Sequence, residues 1–363
     1  MTSTPAPSAG WDVAAEREEL QALLDAFVAE KGELLAPLGP DAAWLVAAAR
    51  GAVSGGKRLR PLFCSAGFRA VRDPCRPDEA RGMVRAGAAL ELLHASALVH
   101  DDLMDASDTR RGAPSVHRAF ERRHREAGWR GDPEQYGAAA AVLLGDLLLS
   151  WADERLRTCG LATPVVLEAL RLFDATRSEV IAGQFLDVSL QARGESDVEQ
   201  SMRVLRYKSA KYSVERPLHV GAALAGADPA TIEALSAFGL PLGEAFQLRD
   251  DLLGVYGDPE VTGKPAGDDL TEGKRTVLVA LALNRAPAAQ AKRLDAALGT
   301  SLSTDEVVEL RRIIEDSGAH AEVELRIEAL TAGSLAALED APVTAEARRV
   351  LRELAAAATQ RVI

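Results

Sequence analysis

The sequence contains two groups of aspartates, each at the end of a long apolar stretch. The first group is Asp101, Asp102 and Asp105, and the second is Asp250 and Asp251. If the apolar stretches are helices, Asp101 and Asp105 share one face, where they repel each other and oppose the helix dipole. Either group alone is as typical of an ordinary acidic helix end as of a metal site. The two together favour helices that meet at one pocket, where Mg²⁺ binds carboxylate and phosphate oxygens.

Cationic residues accompany both groups of aspartates, against a net charge of −12. A glycine-rich turn, SGGKRLRP at 54–61, carries three of them, and Arg110 and Arg111 follow the first aspartates closely. Others lie on either side of the second group: Lys208, Lys211, Lys264, Lys274 and Arg275. Arg offers two parallel hydrogen bonds to a phosphate, and Lys offers a flexible point charge. One such residue is more often a solvated surface charge, but together they predict the rim of a diphosphate-binding site.

The elements that position these residues are predicted to be helices. Ala and Leu dominate the 363 residues, and both lose little side-chain entropy in a helix. Clusters of Pro and Gly separate the helical segments without forming a linker between domains. We therefore expect an all-α fold, a single large bundle of antiparallel helices around a central apolar pocket, over 11–363 after a disordered tail at 1–10. The principal helices are predicted at about 78–105, 134–157, 163–191, 198–225 and 229–256.

Composition and charge argue against several other classes of protein. The acidic balance disfavours nucleic acid and anionic membranes as partners. The apolar stretch from Ala86 to Leu103 contains ionisable residues, so we expect a buried core helix and no stable membrane insertion. Cys64, Cys75 and Cys159 have neither disulfide nor metal-ligand spacing, which is typical of a reducing compartment. The N-terminus lacks the pattern of a signal peptide, so the expected location is the cytoplasm.

A series of short motifs resembles the trans-prenyl diphosphate synthases, and among them most the geranylgeranyl diphosphate synthases. In order, the motifs are GGKRLRP at 55–61, ELLHASALVHDDLMD at 91–105, RRG at 110–112, GQFLD at 183–187, YKSAKY at 207–212, FQLRDDLLGVYGD at 246–258 and GKPAGDDLTEGKRT at 263–276. The resemblance covers about Gly55 to Thr276. Terpene cyclases share the paired aspartate motifs in part, whereas GGKRLRP, TGKP and EGKRT are more specific to the synthases.

This resemblance implies an enzyme that joins isopentenyl diphosphate to an allylic diphosphate by ionisation, condensation and elimination. It also implies three Mg²⁺ ions per active site and a homodimer. The implied ligands of the ions, or their close neighbours, are Asp101, Asp102, Asp105, Asp250, Asp251 and Asp268. The implied isopentenyl diphosphate site is Lys57, Arg60, His94 and Arg111, and the implied allylic diphosphate site is Arg110, Lys208, Gln247, Lys264 and Lys274. The residues implied to act around the reacting carbons are Gln184, Asp187, Lys208, Ser209, Tyr212 and Gln247.

Two positions depart from the family pattern, and two others bear on product length. Gly254 stands where the second motif usually has a third aspartate, and Ser209 replaces the usual threonine but keeps a hydroxyl. Ser96 and Ala97 lie about one helical turn before Asp101, where aromatic residues in the family block the pocket and give a fifteen-carbon product. Because both are small, we expect the twenty-carbon geranylgeranyl diphosphate. They could instead be ordinary helix-packing residues, with another side chain closing the pocket.

The motifs leave other functions open. A farnesyl or longer-chain polyprenyl diphosphate synthase would share the motifs above. A class I terpene cyclase would not need GGKRLRP and would normally carry an Asn/Ser/Glu-type second motif, which does not occur here. A non-catalytic subunit that modulates another synthase would be expected to have lost acids or cations, whereas this chain keeps nearly all of them.

Overall fold

The computed structural model describes residues 11–257 and 267–359, and within them the predicted all-α fold is confirmed. The strands of this described part form one short hairpin, in which β1 (Thr109–Arg110) pairs antiparallel with β2 (Ala113–Pro114). The predicted tail at 1–10 lies outside the described residues, as does Lys264.

The longest helices are the ones that carry the two groups of aspartates and the wall between them. The first half of the chain forms α1 (Val13–Leu35), a 3-10 turn (Ala36–Leu38), α2 (Pro40–Ala52), α3 (Leu59–Val71), α4 (Pro77–Met104), α5 (Val116–Ala127), α6 (Pro133–Arg157) and α7 (Thr163–Arg193). The second half forms α8 (Val198–Val204), a π-helix (Leu205–Glu215), α9 (Arg216–Leu224), α10 (Pro229–Tyr256), α11 (Asp268–Thr271), α12 (Val277–Arg285), α13 (Ala288–Ala297), α14 (Thr304–Asp316), α15 (Ala319–Asp340) and α16 (Ala345–Thr359). A single α-helix was expected at 198–225, so the π-helix is a departure from the prediction.

Local sequence signals explain where several helices begin. Asp228 caps α10 by accepting a hydrogen bond from a backbone N–H three residues later at 2.8 Å, and Pro229 occupies the first turn. The start of α7 differs, because Thr163 is its first helical residue and Ala162, which has no side-chain acceptor, is the N-cap. α10 also runs through Pro241 without a break. Side-chain capping therefore accounts for the start of α10 but not for that of α7, and tertiary packing decides whether a helix continues.

α4 lies in the core of the bundle and is buried along most of its length. It packs against α3 and α6, and its apolar side chains join those of α1, α6 and α7 in one large core. Leu92, Leu144 and Phe173 are fully buried there. Within the described residues, α4 is the one helix long and apolar enough to span a membrane, yet 78% of its apolar window is buried, as in the core helix of a soluble protein. The core thereby fixes the aspartates at the end of α4.

α10 is the second long buried helix and carries the other aspartates. It packs against the π-helix and α15 and contributes to two further apolar cores. Phe238 and Leu242 belong to one of them, and Leu248 and Leu252 belong to the other. Both groups of aspartates thus lie near the ends of helices that the core holds in place.

Candidate active site

Both groups of aspartates reach one cavity of about 1350 Å³. α4 contributes Asp101 to its wall, and α10 contributes Asp250 and Asp251. The rest of the wall includes apolar side chains of α4 and α7, such as Leu93 and Val180. The cavity therefore combines an acidic end with an apolar interior, which is the combination that the sequence predicts.

Most residues assigned to the site from the sequence line this cavity. They are Lys57, Arg60, His94, Ser96, Ala97, Asp101, Arg110, Arg111, Gln184, Asp187, Lys208, Ser209, Tyr212, Gln247, Asp250, Asp251, Asp268 and Lys274. Asp102 and Asp105 do not line it, and Lys264 lies outside the described residues. The fold thus brings together side chains that are far apart in the sequence.

Asp102 is turned away from the cavity and holds Arg110. Neighbouring residues on a helix point in directions about 100° apart, so Asp101 and Asp102 cannot both face the same space. The buried Asp102 carboxylate accepts hydrogen bonds from Arg110 Nε at 2.9 and 3.2 Å and from a second guanidinium nitrogen. In this arrangement Asp102 positions an arginine of the cavity wall instead of facing a metal ion.

Two lysines form ion pairs with carboxylates at the acidic end of the cavity. Lys208 Nζ lies 3.2 Å from Asp101 Oδ1. Lys274 Nζ lies 3.1 Å from Asp105 Oδ2 and 3.5 Å from Asp269 Oδ1. Burial disfavours the charged form of Lys274, but the surrounding carboxylates outweigh burial and raise its pKa well above the ordinary value. The pKa of Lys208 is raised for the same reason, so both side chains stay positively charged.

Burial and repulsion between carboxylates shift the pKa values of the acids. Burial raises the pKa of Asp251 to about 8, and the charges of Asp269 and Asp250 add to the rise, while a hydrogen bond from Gln247 opposes it. A carboxyl group with this pKa is mostly protonated at neutral pH. Positive charge brought to this end of the cavity would favour its ionised form.

The oxygen donors at this end of the cavity fit Mg²⁺. Asp101 Oδ1 is buried and makes no hydrogen bond, although Lys208 Nζ lies 3.2 Å from it as an ion-pair partner. Burial, and then the charge of Asp101, raises the pKa of Asp105, so a cation would stabilise the ionised pair. No three His, Cys, Asp or Glu side chains of the described residues are grouped closely enough to hold an ion by themselves. Mg²⁺ commonly binds one or two carboxylates and completes its coordination shell with water and substrate phosphate. It therefore does not need three protein ligands grouped in advance.

The π-helix presents Lys208, Ser209 and Tyr212 to the cavity. Two glycines let α7 and α10 approach it closely. A Cβ atom on Gly183 would lie less than 3.0 Å from backbone atoms of Lys208, and one on Gly243 less than 3.0 Å from a carbonyl group of the π-helix. π-helical turns occur frequently at functional sites. The local sequence fits an α-helix equally well, so we attribute the wider turn to tertiary packing.

A chain of hydrogen bonds joins the π-helix to α10. Ser209 Oγ donates to Gln247 Oε1, and Gln247 Nε2 donates to Asp251 Oδ1 at 2.9 Å. The hydroxyl that Ser209 shares with threonine is therefore in use, and it orients the Gln247 amide. On the other side of the π-helix, Lys208 forms an ion pair with Asp187 of α7. These contacts fix the polar side chains that border the apolar part of the cavity.

A second group of cations lies on the α3 side of the cavity. His94 Nδ1 and the Tyr212 hydroxyl are hydrogen-bonded at 2.9 Å, and the Arg60 guanidinium stacks 4.2 Å from the centre of the Tyr212 ring. Burial, and then the charges of Arg60 and Arg111, lowers the pKa of His94 well below its ordinary value, so this imidazole is neutral. Arg60 Nε is buried without a hydrogen-bond partner, which leaves a donor for an anion.

One cation of the glycine-rich turn is used by the protein itself. Arg58 is buried and forms an ion pair with Glu91 of α4. Its guanidinium also donates to Gln21 of α1 and to the carbonyl oxygen of Val53. Arg58 therefore anchors the turn to two helices, and sequence analysis did not identify this role. The available signal was the single acid, Glu91, inside the apolar stretch of α4.

Asp269 is an acidic residue of the site that sequence analysis did not single out. It lies in α11, is buried, and lines the cavity beside Asp268. A Cβ atom on Gly254 would lie less than 3.0 Å from the carboxylate of Asp269. In the sequence, Asp269 could have been found as the second aspartate of the GDDL segment, directly after Asp268.

Ser96 and Ala97 have different environments on α4. Ser96 is buried, and its hydroxyl donates to the carbonyl oxygen of Gly145 on α6 at 2.7 Å. Ala97 is half-buried and shares a helix face with Leu93 and Asp101, because these residues are four apart. Both Ser96 and Ala97 line the cavity, but Ser96 also joins α4 to α6.

Comparison with known proteins relates this chain to enzymes of one reaction class. Residues 42–316 match the family model described as polyprenyl synthetase. The structure is similar to that of geranylgeranyl pyrophosphate synthase from Corynebacterium glutamicum complexed with isoprenyl diphosphate and magnesium, with a TM-score of 0.94 and 42% identity over 97% of this chain and 100% of that chain. A geranylfarnesyl diphosphate synthase of Natronomonas pharaonis is 30% identical over 78% of this chain and 75% of its own length. A (2E,6E)-farnesyl diphosphate synthase of Mycobacterium bovis is 35% identical over 72% of this chain and 68% of its own length.

The three relatives are named for products of different lengths but for one kind of synthase. The family match spans both groups of aspartates and the cations around them, and the fold is the same. The chain therefore belongs to the polyprenyl synthetase family and is a trans-prenyl diphosphate synthase.

Proposed function

We propose that this enzyme is a Mg²⁺-dependent geranylgeranyl diphosphate synthase, which adds isopentenyl diphosphate to allylic diphosphates until the product has twenty carbons. The observation that carries the proposal is one cavity with both groups of aspartates at its polar end and two small residues, Ser96 and Ala97, on its α4 wall. Similarity to the Corynebacterium glutamicum enzyme over 97% of the chain supports the same product. The farnesyl and geranylfarnesyl names of other relatives make product length the part that most needs measurement.

The polar end of the cavity suits the ionisation of an allylic diphosphate. When bound, Mg²⁺ supplies positive charge that stabilises the departing diphosphate. The residues that would hold three ions are Asp101, Asp105 and Asp250, assisted by Asp251 and Asp268, while Asp102 would act only through Arg110. Lys208, Lys274 and Arg110 border the same end and would bind the diphosphate oxygens, and Gln247 and Lys264 complete this proposed set. Fixed positive charge at this position lowers the barrier because the negative charge develops there during ionisation.

The α3 side of the cavity suits the second substrate, isopentenyl diphosphate. Lys57, Arg60 and Arg111 line it, and Arg60 Nε is still without a partner. The neutral His94 can contribute a hydrogen bond without adding charge. Two separate cationic regions favour an enzyme with two diphosphate substrates over a terpene cyclase, which needs only one.

The reacting carbons would lie between these two regions, where the cavity has both dipoles and apolar walls. The Ser209 hydroxyl, the Gln184 amide and the Lys208 carbonyl group are the proposed stabilisers of the allylic cation, with Tyr212 and Asp187 beside them. Water must be excluded because it would capture the cation. We assign the proton lost in the elimination to the departing diphosphate, since Asp187 is held by Lys208 and is not available as a base.

The proposed assembly is a homodimer that forms through α6 and α7. Two ion pairs lie on the exposed side of α7, Arg171 with Glu168 and Arg177 with Asp174, so these four charges are balanced within the chain. Apolar patches of this kind are typical of protein interfaces. Of the fourteen large apolar side chains that are exposed in the described residues, seven lie on these two helices: Val142, Leu143, Leu167, Ile181, Phe185, Leu186 and Val188. A cytoplasmic location completes the proposal.

The proposal is tested by incubating the purified protein with Mg²⁺, isopentenyl diphosphate and each of dimethylallyl, geranyl and farnesyl diphosphate. Geranylgeranyl diphosphate as the main product supports it, and a shorter or longer chain replaces the product assignment. A cyclic hydrocarbon would instead indicate a terpene cyclase. An inactive protein that stimulates another synthase would indicate a non-catalytic subunit. The Asp101→Ala variant is the control for product made by a contaminating enzyme.

A further inference from the structure

Lys211 belongs by sequence to the cations of the predicted diphosphate-binding rim, but its side chain does not line the cavity. Its ammonium instead donates a hydrogen bond to Glu179 Oε1 of α7 at 2.6 Å. The guanidinium of Arg216, the first residue of α9, donates to both oxygens of the same carboxylate, at 2.7 and 2.8 Å. Glu179 and Arg216 do not line the cavity either. Glu179 therefore joins two cations of the chain to each other outside the cavity.

The backbone joins the same two residues of the chain. The N–H of Arg216 donates to the carbonyl oxygen of Lys211, five residues earlier, which is the hydrogen bond of a π-helical turn. Neighbouring side chains on an α-helix are three or four residues apart, so a spacing of five matches the wider turn. Glu179 thus binds side chains at the two ends of the last π-helical turn, and these contacts favour π-helical over α-helical geometry there.

The contact is made by partly buried charges. The side chains of Glu179, Lys211 and Arg216 are 21%, 14% and 16% exposed. Burial by itself would raise the pKa of Glu179, but the hydrogen bonds from Arg216 and Lys211 outweigh burial and lower it. The carboxylate is therefore ionised at neutral pH. Charges in such a position are screened by salt much less than exposed ones, so the contact is stronger than an ordinary surface ion pair.

The turn that Glu179 closes carries residues that orient a cation of the cavity. Tyr212 and Ser213 lie between Lys211 and Arg216. The guanidinium of Arg60 stacks 4.2 Å from the centre of the Tyr212 ring, and its Nη2 donates to Ser213 Oγ at 2.7 Å. Arg60 therefore depends on this turn for its orientation.

Lys208, one turn earlier in the π-helix, does not depend on the contact in the same way. Its ammonium is held by two carboxylates of its own, Asp101 of α4 and Asp187 of α7. Loss of Glu179 should therefore disturb the α3 side of the cavity more than the end that carries the aspartates.

We propose that Glu179 is a positioning residue for isopentenyl diphosphate: it closes the last π-helical turn and so holds Tyr212 and Ser213 where they orient Arg60. This inference rests on the proposed function, which assigns the α3 side of the cavity to that substrate. Glu179 does not contact the substrate and acts only through the π-helix. A general structural role would affect both substrates alike, whereas this role affects one of them.

The experiment compares Glu179→Gln with the wild type and with a matched control, Glu339→Gln. Glu339 of α15 accepts a hydrogen bond from Arg352 of α16 at 2.6 Å and does not line the cavity. Incorporation of labelled isopentenyl diphosphate onto geranyl diphosphate is measured whatever the product length, with each substrate varied while the other is saturating. We expect Glu179→Gln to raise KM for isopentenyl diphosphate about tenfold, because a displaced Arg60 weakens a charged hydrogen bond. KM for geranyl diphosphate should stay close to that of the wild type, as should both values in Glu339→Gln.

A second variant, Lys211→Met, tests the same contact but leaves the carboxylate bound to Arg216. It should raise KM for isopentenyl diphosphate less than Glu179→Gln does, and it keeps the test open if Glu179→Gln does not fold. The double variant should be no worse than Glu179→Gln alone, because both changes act through one contact.

Three results would overturn the inference. The first is an equal rise in the two KM values, or a rise for geranyl diphosphate alone. The second is a Glu179→Gln variant that behaves like Glu339→Gln. The third is a double variant in which the two separate fold-changes multiply.

The outcome can be separated from that of the proposed function. If the wild type makes geranylgeranyl diphosphate but Glu179→Gln raises both KM values equally, this inference fails alone. If the wild-type product has another length but the rise is confined to isopentenyl diphosphate, the product assignment fails alone.

Discussion

Adjacent aspartates of α4 have different roles because the helix turns them in different directions. Asp101 faces the cavity with one oxygen that no hydrogen bond satisfies, whereas Asp102 is buried against the guanidinium of Arg110. The sequence predicted both as part of a metal site, since spacing identifies a helix end but not which side of it borders a cavity. The difference can be measured, because one residue would act on metal ions and the other on a substrate-binding arginine.

We expect Asp101→Asn to lower kcat by about two to three orders of magnitude, because an amide lacks the charge that would hold an ion at the cavity. Asp102→Asn should keep most of kcat but raise KM for the allylic diphosphate, because Arg110 loses a charged partner. Steady-state kinetics at several Mg²⁺ concentrations separate the two effects. Identical dependence on Mg²⁺ in both variants would contradict the division of roles.

Ala97 is the residue at which a larger side chain should change the product. It lies one turn from Asp101 on the same face of α4 and lines the cavity. We expect Ala97→Phe to shift the main product from twenty carbons to fifteen, measured by chromatography of the dephosphorylated products. Ala97→Ser, which stays small, is the matched control and should keep the wild-type distribution. A Phe variant with unchanged products would show that another part of the wall limits the chain.

His219 should make the stability of the protein depend on pH. Burial, and then the charges of Arg216 and Lys211, lowers its pKa to about 4, while in the unfolded chain its pKa is about 6.5. Between these values the unfolded chain takes up a proton that the folded protein does not, so the free energy of unfolding falls as pH falls, by up to about 3 kcal/mol. Urea unfolding at pH 4.5 and 7 should therefore show a smaller difference for His219→Gln than for the wild type. Equal differences would exclude His219 as the source.

At the scale of helices, the sequence predicted the parts that local rules determine. The long apolar helices α4 and α10 are such parts, because their periodicity is visible in the local sequence. The π-helix was not predictable from its own residues. It depends on close contacts with Gly183 of α7 and Gly243 of α10, which are distant from it in the sequence. The place of Asp269 at the cavity was hidden for the same reason, because its contact with Gly254 exists only after α11 has packed against α10.

A methyl group on Gly183 should disturb the π-helix and the site that it carries. Its Cβ would lie less than 3.0 Å from backbone atoms of Tyr207 and Lys208, so one of the two helices must move. We expect Gly183→Ala to lower the free energy of unfolding by about 1–3 kcal/mol. It should also lower kcat by a larger factor than the factor by which it changes KM. Gly333→Ala is the matched control, because nothing lies within 4 Å of its Cβ and alanine favours a helix. Thermal unfolding and steady-state kinetics of both variants provide the comparison.

At the scale of the whole molecule, exposed apolar residues are concentrated on one face, formed by α6 and α7. Ile181, Phe185 and Val188 of this face also line the cavity, so covering the face would bring a partner close to the cavity wall. The sequence predicted both helices, but it could not distinguish side chains that the core buries from those that remain outside.

Leu143→Glu should weaken the proposed homodimer, because two-fold symmetry would place a new charge from each copy at the interface. Leu143 is 61% exposed on α6, and Leu325, which is 62% exposed on α15, is the matched control. Sedimentation velocity at micromolar concentration should show a smaller species for Leu143→Glu and the wild-type species for Leu325→Glu. A wild-type protein that sediments as a monomer would contradict the assembly itself.

The face of α4 that lines the cavity has a further consequence for how this enzyme can diversify. Leu93, Ala97 and Asp101 recur at intervals of four residues along it, and each helical turn advances about 5.4 Å. The distance between the aspartate where elongation begins and the residues that can stop it is therefore set by the geometry of one helix, α4. Under the proposed function, product length would change in discrete increments, by substitutions one turn apart that leave the reacting groups untouched. Descendants of this sequence could then acquire new products without first losing turnover.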